Sequence, residues 1–184
     1  MALAPGKGIH AHREAGHILH GYVQLTKSAE WFFSIDFGDR AAAAARVAAE
    51  FTGWAPALLD LITESDTTLV ARPIYTLPTP YQWDHFRGVT LIGDAAHLMA
   101  PAGEGANLAM LDGAELGLAL AQRDAVGFEE AVAGWESVMF PRSEDAALRS
   151  VFVNDLTLGD GAPHAAADFF TRVSGNSVEA SPAV

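Results

Sequence analysis

The sequence predicts a mixed α/β fold class, and three observations carry that expectation. Residues 8–25, GIHAHREAGHILHGYVQL, alternate apolar and polar positions about a centre at Ala15–Gly16. A period of two is that of a strand with one buried face, and the reversal is that of an antiparallel hairpin. Residues 89–93, VTLIG, form a short, almost wholly apolar run, the pattern of a strand covered on both faces. Residues 103–122 are helical by composition, with Leu108, Leu111, Leu116 and Leu120 spaced for burial.

The other elements follow in order. WFFSIDF, residues 31–37, is aromatic enough to read as a third short strand. Asp39 offers an N-cap to RAAAAARVAAEFTGW, whose alanine tract Ala41–Ala45 is a helix interior. Gly53 and Pro56 punctuate the chain before a second helix, ALLDLITES. The aromatic residues at 31–33 and 51–54 read as core. TTLVARPIYTL, residues 67–77, reads as a strand that closes at Pro78 and Pro80, with Arg72 either at a cleft or paired on the surface. A further helical stretch at 127–151 should end or kink at Pro141, and SGNSVEASPAV reads as a frayed tail. The expected organisation is a sheet with two small helices over 1–80, a strand, loop and helix over 81–125, C-terminal helices over 126–172 and a tail over 173–184.

Composition excludes several functions. The 184 residues are 50% hydrophobic and carry 23 acidic against 11 basic side chains, a formal net charge of -12. No basic run exists to neutralise phosphates, so nucleic acid is not an expected partner. Cysteine is absent, which removes disulfides, thiolate catalysis and Cys-based zinc sites and fits a cytoplasmic protein. Proline, glycine and charge within the first seven residues interrupt any signal-peptide core, and no apolar run approaches the roughly 18 residues of a membrane span.

The chemistry concentrates in VTLIGDAAHLMAPAGEGANLAMLDGAELGLAL, residues 89–120. Asp94 stands at the carboxyl end of an apolar strand, where open α/β sheets bind ligands, and can accept hydrogen bonds from ribose or ribityl hydroxyls. Gly103 and Gly105 let backbone approach a flat ligand because neither has a Cβ. The first amides of the helix, around Ala106 and Asn107, have no intrahelical partners and can stabilise negative charge on a ligand. The plainer alternative is that Asp94 caps a turn and the glycines make a loop. The ordered combination of strand, GDAAH, proline, GxGxN and apolar helix favours the ligand site. No GxGxxG phosphate turn occurs anywhere in the chain.

Through these residues the sequence resembles the class A flavoprotein monooxygenases. The resemblance extends over about residues 1–150 and looks closest to the tetracycline-inactivating subgroup, through LHGYVQLTKSAEW, RPIYTLP and MFPRSEDA. It implies that Gly93 and Asp94 meet the ribityl chain of FAD, that Pro101 lines the isoalloxazine, and that Gly103, Gly105, Ala106 and Asn107 face its pyrimidine edge. Ala100 stands where many members have a first proline, and the proline-to-asparagine spacing is one residue shorter than in some. The resemblance implies that the hairpin belongs to a substrate domain, with His10 and His20 contacting a small organic substrate. It further implies the C-terminal part of a Rossmann-like FAD-binding domain, the N-terminal dinucleotide-binding half lying outside this sequence. FAD, with NAD(P)H as reductant and oxygen, would then hydroxylate an aromatic or polycyclic substrate, tetracycline-like compounds among them. No side chain need act as a nucleophile.

Other readings compete. A truncated or split polypeptide, inactive without a separate N-terminal FAD-binding half, fits the same residues. His10, His12, His17 and His20 suggest a metal site, but no neighbouring carboxylate is evident in the pattern, and no metal is expected. Asp94 and His97 suggest a hydrolase pair that no second acidic residue supports. His97 reads as structural, bonded to a backbone carbonyl or packed under the loop. Asp112 and Glu115 read as the solvated face of their helix.

Overall fold

The computed structural model describes residues 1–179. The chain divides into two compact units, one of Met1–Arg72 with the chain from Asp155 onward, the other of Pro73–Asn154. It is a mixed α/β protein with one three-stranded antiparallel sheet.

In the first unit, β1 (Ala2–Ala4), β2 (Lys7–Arg13) and β3 (Leu19–Leu25) pair in that order. The hairpin expected about Ala15–Gly16 is present, with His12 opposite His20 and His10 opposite Tyr22. Its turn places both Gly16 and His17 at positive φ, 75° and 62°. Ile9 and Val23, also opposite one another, enter a core with Val47, Phe51 and Ile62. The alternation has therefore placed the apolar face of the hairpin inward, as a period of two requires.

The third strand is β1; WFFSIDF is not a strand. Residues Ala29–Phe33 form helix α1, because Ser28 accepts a hydrogen bond from the Trp31 amide and caps it. A local cap has overridden the β preference of the aromatic run. Asp39 caps α2 (Arg40–Ala48) by accepting from the Ala42 amide at 3.0 Å, as expected, and α3 spans Pro56–Thr63. Glu50 ties these pieces together, accepting from Trp31 Nε1 at 3.1 Å and pairing with Arg46 and Lys27. The hydrogen bond from Lys27 is the main reason its carboxyl sits below the ordinary range.

TTLVARPIYTL forms no strand. Val70, Ile74 and Tyr75 are exposed, and Pro73 lacks the N–H that a ladder needs. VTLIG likewise forms no strand; Val89 makes an isolated bridge to Phe86. A strand is defined by its neighbours, and among the described residues nothing pairs with 90–93. Val89 and Ile92 are exposed instead of covered.

The helices α4 (Asp94–His97), α5 (Gly105–Ala121), α6 (Arg123–Val126) and most of α7 (Phe128–Leu158) lie in the second unit. α5 begins within two residues of Gly103, as expected. Of its leucines Leu108 is buried, but Leu111 is exposed. Pro141 does not end α7, which continues for four more turns or so. Buried residues on both sides of the proline, Trp135 and Met139 before it and Ala146 after it, offset a cost of about 3 kcal/mol. α8 (His164–Glu179) occupies the start of the expected tail, so residues 174–179 are helical. The remainder of that tail, 180–184, lies outside the described residues. Among the described residues no helix is long and apolar enough to cross a membrane.

Candidate functional site

The site is built where the chain turns from the extended 89–92 segment into α4. Gly93 adopts φ 59° and ψ -140°, a conformation essentially reserved for glycine. A Cβ there would also stand 3.2 Å from the Cβ of Ala109 on α5, so the turn is pressed against that helix. α4 closes on itself through Ala96 and His97 amides bonded to the Gly93 carbonyl at 2.9 Å. This geometry exposes Asp94 while burying Ala96 and His97.

The loop then returns to the start of α5. Asp94, Pro101, Gly103, Gly105 and Ala106 line one open cavity of about 270 Å³, together with His97 and Met99. Gly93 is buried beneath it, and Asn107 is exposed in the first turn of α5. Gly103 has φ 86°, and a Cβ on Gly103 or Gly105 would meet no protein atom within 4 Å. Glu104, the N-cap position of α5, makes no side-chain cap. Its carboxylate is drawn to Arg149, Nη2 to Oε2 2.9 Å. The helix start therefore keeps its outward-pointing amides for whatever enters the cavity.

Three residues of α7 hold this loop and helix. Arg149 binds Glu104, Ser150 donates to the Ala100 carbonyl at 2.7 Å, and Arg142 reaches Asp112 at 3.0 Å and Glu115. Asp112 is not on a solvated face. It is fully buried, and its Oδ2 accepts from the Gly93 amide at 3.0 Å and from His97 Nε2 at 2.7 Å. Glu115 is half-buried in the same ion pair. His97 is buried, and its partner is this carboxylate and not the expected backbone carbonyl.

A second buried carboxylate holds residues 83–90 to α7. Glu136 accepts from Trp83 Nε1 at 3.0 Å, His85 Nδ1 at 2.7 Å and Thr90 Oγ1 at 2.7 Å. The sequence pattern alone gave no warning of it, since Glu136 lies in an otherwise ordinary helix. Asp112 did leave a signal: it stands four residues from both Leu108 and Leu116, on the stripe expected to be buried.

His10 and His20 belong to the other unit. Their rings, with those of His12 and Tyr22, occupy the face of the hairpin opposite Ile9 and Val23. His12 and His20 stack at 5.6 Å, and His10 lies 5.8 Å from Tyr22. A carboxylate does adjoin them, since Glu14 lies 3.1 Å from His12 Nε2 and 3.3 Å from His20 Nε2. Among the described residues, no three His, Cys, Asp or Glu are arranged to hold a metal ion.

An exposed carboxylate, a proline and two glycines line the cavity at the uncapped helix start. Residues 75–125 match the FAD binding domain family. The match contains the whole cavity. The chain is 41% identical over 93 residues to the monooxygenase penA of Penicillium thymicola, covering 45% of this chain and 22% of that protein. It is 50% identical over 54 residues to the monooxygenase asqM of Emericella nidulans, 28% of this chain and 12% of that protein. It is 39% identical over 72 residues to the chloroplastic zeaxanthin epoxidase of Oryza sativa subsp. japonica, 38% of this chain and 11% of that protein. The matched stretches thus span about a fifth or less of these relatives.

Proposed function

We propose that this chain supplies the ribityl and isoalloxazine side of the FAD site in a flavin-dependent monooxygenase. The observation that carries the proposal is the cavity in which Asp94, Pro101 and the uncapped start of α5 converge. Its residues fit that part of the cofactor. Asp94 accepts hydrogen bonds from ribityl hydroxyls without changing protonation state. Gly103 and Gly105 leave the space beside the helix start free for a ring system, and the α5 amides and dipole favour electron density at the pyrimidine edge. Pro101 presents an apolar wall that excludes water from it.

The same cavity does not fit a pyrophosphate, because none of its lining residues is Lys or Arg. That part of FAD needs a glycine-rich turn at another helix start. A separate or preceding N-terminal half is therefore the partner this reading requires. Residues 90–92 support the requirement, since among the described residues no strand pairs with them. Bound FAD, reduced by NAD(P)H and reacting with oxygen, supplies the hydroxylation chemistry. The protein's share is to bind, orient and desolvate. For the substrate we propose an aromatic or polycyclic compound, tetracycline-like in chemistry, with His10 and His20 as contacts on the ring-bearing face of the hairpin.

The experiment is reconstitution. This chain is mixed with a separately expressed flavin-binding half bearing GxGxxG, taken from a related monooxygenase. The expected result is flavin retained through gel filtration and substrate-dependent NAD(P)H consumption by the mixture, with neither from this chain alone. A chain that is yellow and active by itself would overturn the need for a partner; a mixture that never retains flavin would overturn the site.

A further inference from the structure

We propose that Asp112 is the positioning residue of the cavity, fixing where the Asp94 carboxylate stands relative to the first turn of α5. The inference rests on the flavin reading for its ligand but on hydrogen bonding alone for its mechanism. The two groups that Asp112 Oδ2 binds, the Gly93 amide and His97 Nε2, flank Asp94 in the chain, one residue before and three after. Both ends of the α4 turn are thereby held to one oxygen atom. That oxygen belongs to α5, the helix whose start lines the cavity about two turns upstream. Asp94 and the α5 amides, which share no direct bond in this arrangement, are set against each other through Asp112.

The remaining oxygen, Oδ1, accepts from Arg142 Nη2 at 3.0 Å, which balances the buried charge and ties the arrangement to α7. A carboxylate is needed here because all three partners donate. An asparagine would turn its NH₂ either toward Gly93 and His97 or toward Arg142, and each choice sets a donor against a donor. His97 could answer by changing tautomer, but the Gly93 amide could not. With the NH₂ toward Gly93 that amide loses its acceptor; an alanine, which offers no acceptor at all, releases Gly93, and Asp94 with it, in every case.

The test uses this chain reconstituted with the separate flavin-binding half, and two flavins: riboflavin, and lumiflavin, which lacks the ribityl hydroxyls. Binding is read from flavin fluorescence. Asp94→Ala and Asp112→Ala should each weaken riboflavin by about tenfold or more, as loss of a hydrogen bond to a charged acceptor does. Lumiflavin should be unaffected, and the double variant should be no worse than either single one. A purely structural role would weaken both flavins alike and add to the effect of Asp94→Ala, and either result overturns the inference. A second readout needs no ligand. In the ¹⁵N-labelled wild type, the Gly93 amide and the His97 Nε2 proton should exchange slowly with solvent; in Asp112→Ala both should exchange fast while the amides of 108–116 remain protected. Fast exchange at Gly93 in the wild type overturns the proposal even if Asp112→Ala does not fold. Slow exchange with no binding of either flavin leaves Asp112 as the positioning group and removes the flavin reading instead.

Discussion

Nδ1 of His85 lies 2.7 Å from the buried carboxylate of Glu136, and its Nε2 lies 3.0 Å from Glu129. Carboxylates only accept, so both ring nitrogens are held as donors, and the ring bridges two positions on one face of α7. The hydrogen bond to Glu136, then that to Glu129, raises the pKa of His85 above its ordinary 6.5. For Glu136 burial pushes upward, but the bonds from Thr90, His85 and Trp83 outweigh it and hold the carboxyl below its ordinary 4.5. Arg87 also approaches Glu129, at 3.8 Å. A raised imidazole stabilises the folded chain most below its unfolded value and loses that contribution as pH rises through the folded one. A depressed carboxyl contributes above its unfolded value and loses it as pH falls through the folded one. The docking of residues 83–90 on α7 should therefore be firmest between about pH 4.5 and 6.5 and loosen on either side. Amide exchange across 83–90, followed against pH, checks this; His85→Gln should abolish the alkaline limb and keep the acid one.

Glu136→Gln should destabilise the second unit by about 3 kcal/mol, because a buried acceptor of three donors is replaced by a group that can serve only part of them. Denaturant unfolding measures it. A loss below about 0.5 kcal/mol would show that the three bonds do not hold this region together.

Asp94→Ala separates binding from stability. The side chain is exposed and its loss should change unfolding free energy by no more than about 0.5 kcal/mol. In the reconstituted enzyme, FAD affinity should fall by about 1.5 to 3 kcal/mol. Equal FAD affinity in the variant would exclude Asp94 as a contact.

Two glycines of the site should respond in opposite ways. Gly93→Ala meets both a forbidden backbone region and Ala109, and should cost about 1 to 3 kcal/mol in stability. Gly105→Ala meets nothing and begins a helix, so it should leave stability equal or slightly higher. Its cost should appear only in flavin affinity, where the added methyl occupies space meant for the ring. Thermal unfolding and flavin titration of the two variants together decide the point.

His20→Ala should raise KM for the organic substrate by about tenfold in the reconstituted enzyme, with the flavin's own affinity unchanged. A change in flavin retention without a change in KM would move His20 out of the substrate face.

Much of this was legible from residue order. The hairpin, the Asp39 cap and the start of α5 follow from local rules, and local rules are what a sequence displays. VTLIG failed as a strand for a different reason: its composition is that of a strand, but pairing belongs to two segments and the described residues provide one. WFFSIDF failed because a single serine caps it as a helix, outweighing five apolar or aromatic neighbours. Asp112 was misread by charge. Its position on the Leu108 stripe pointed inward, and carboxylates are rarely inward; only the Gly93 amide, His97 Nε2 and the arginine on α7 make that placement affordable. Glu136 left no such trace, because its donors at Trp83, His85 and Thr90 lie about fifty residues away in sequence.

The dependence of the cavity on α7 has a consequence for how this protein can change. Arg142, Arg149 and Ser150 reach the loop and α5 from one continuous helix, while Trp135, Glu136 and Met139 anchor that helix a few turns earlier. Variation in a library of α7 substitutions should then be tolerated in a rhythm, every third or fourth position closed to change and those between open. Change in this scaffold would arise by drift at the open positions, which tilt the whole helix slightly, sooner than by remodelling the loop that lines the cavity.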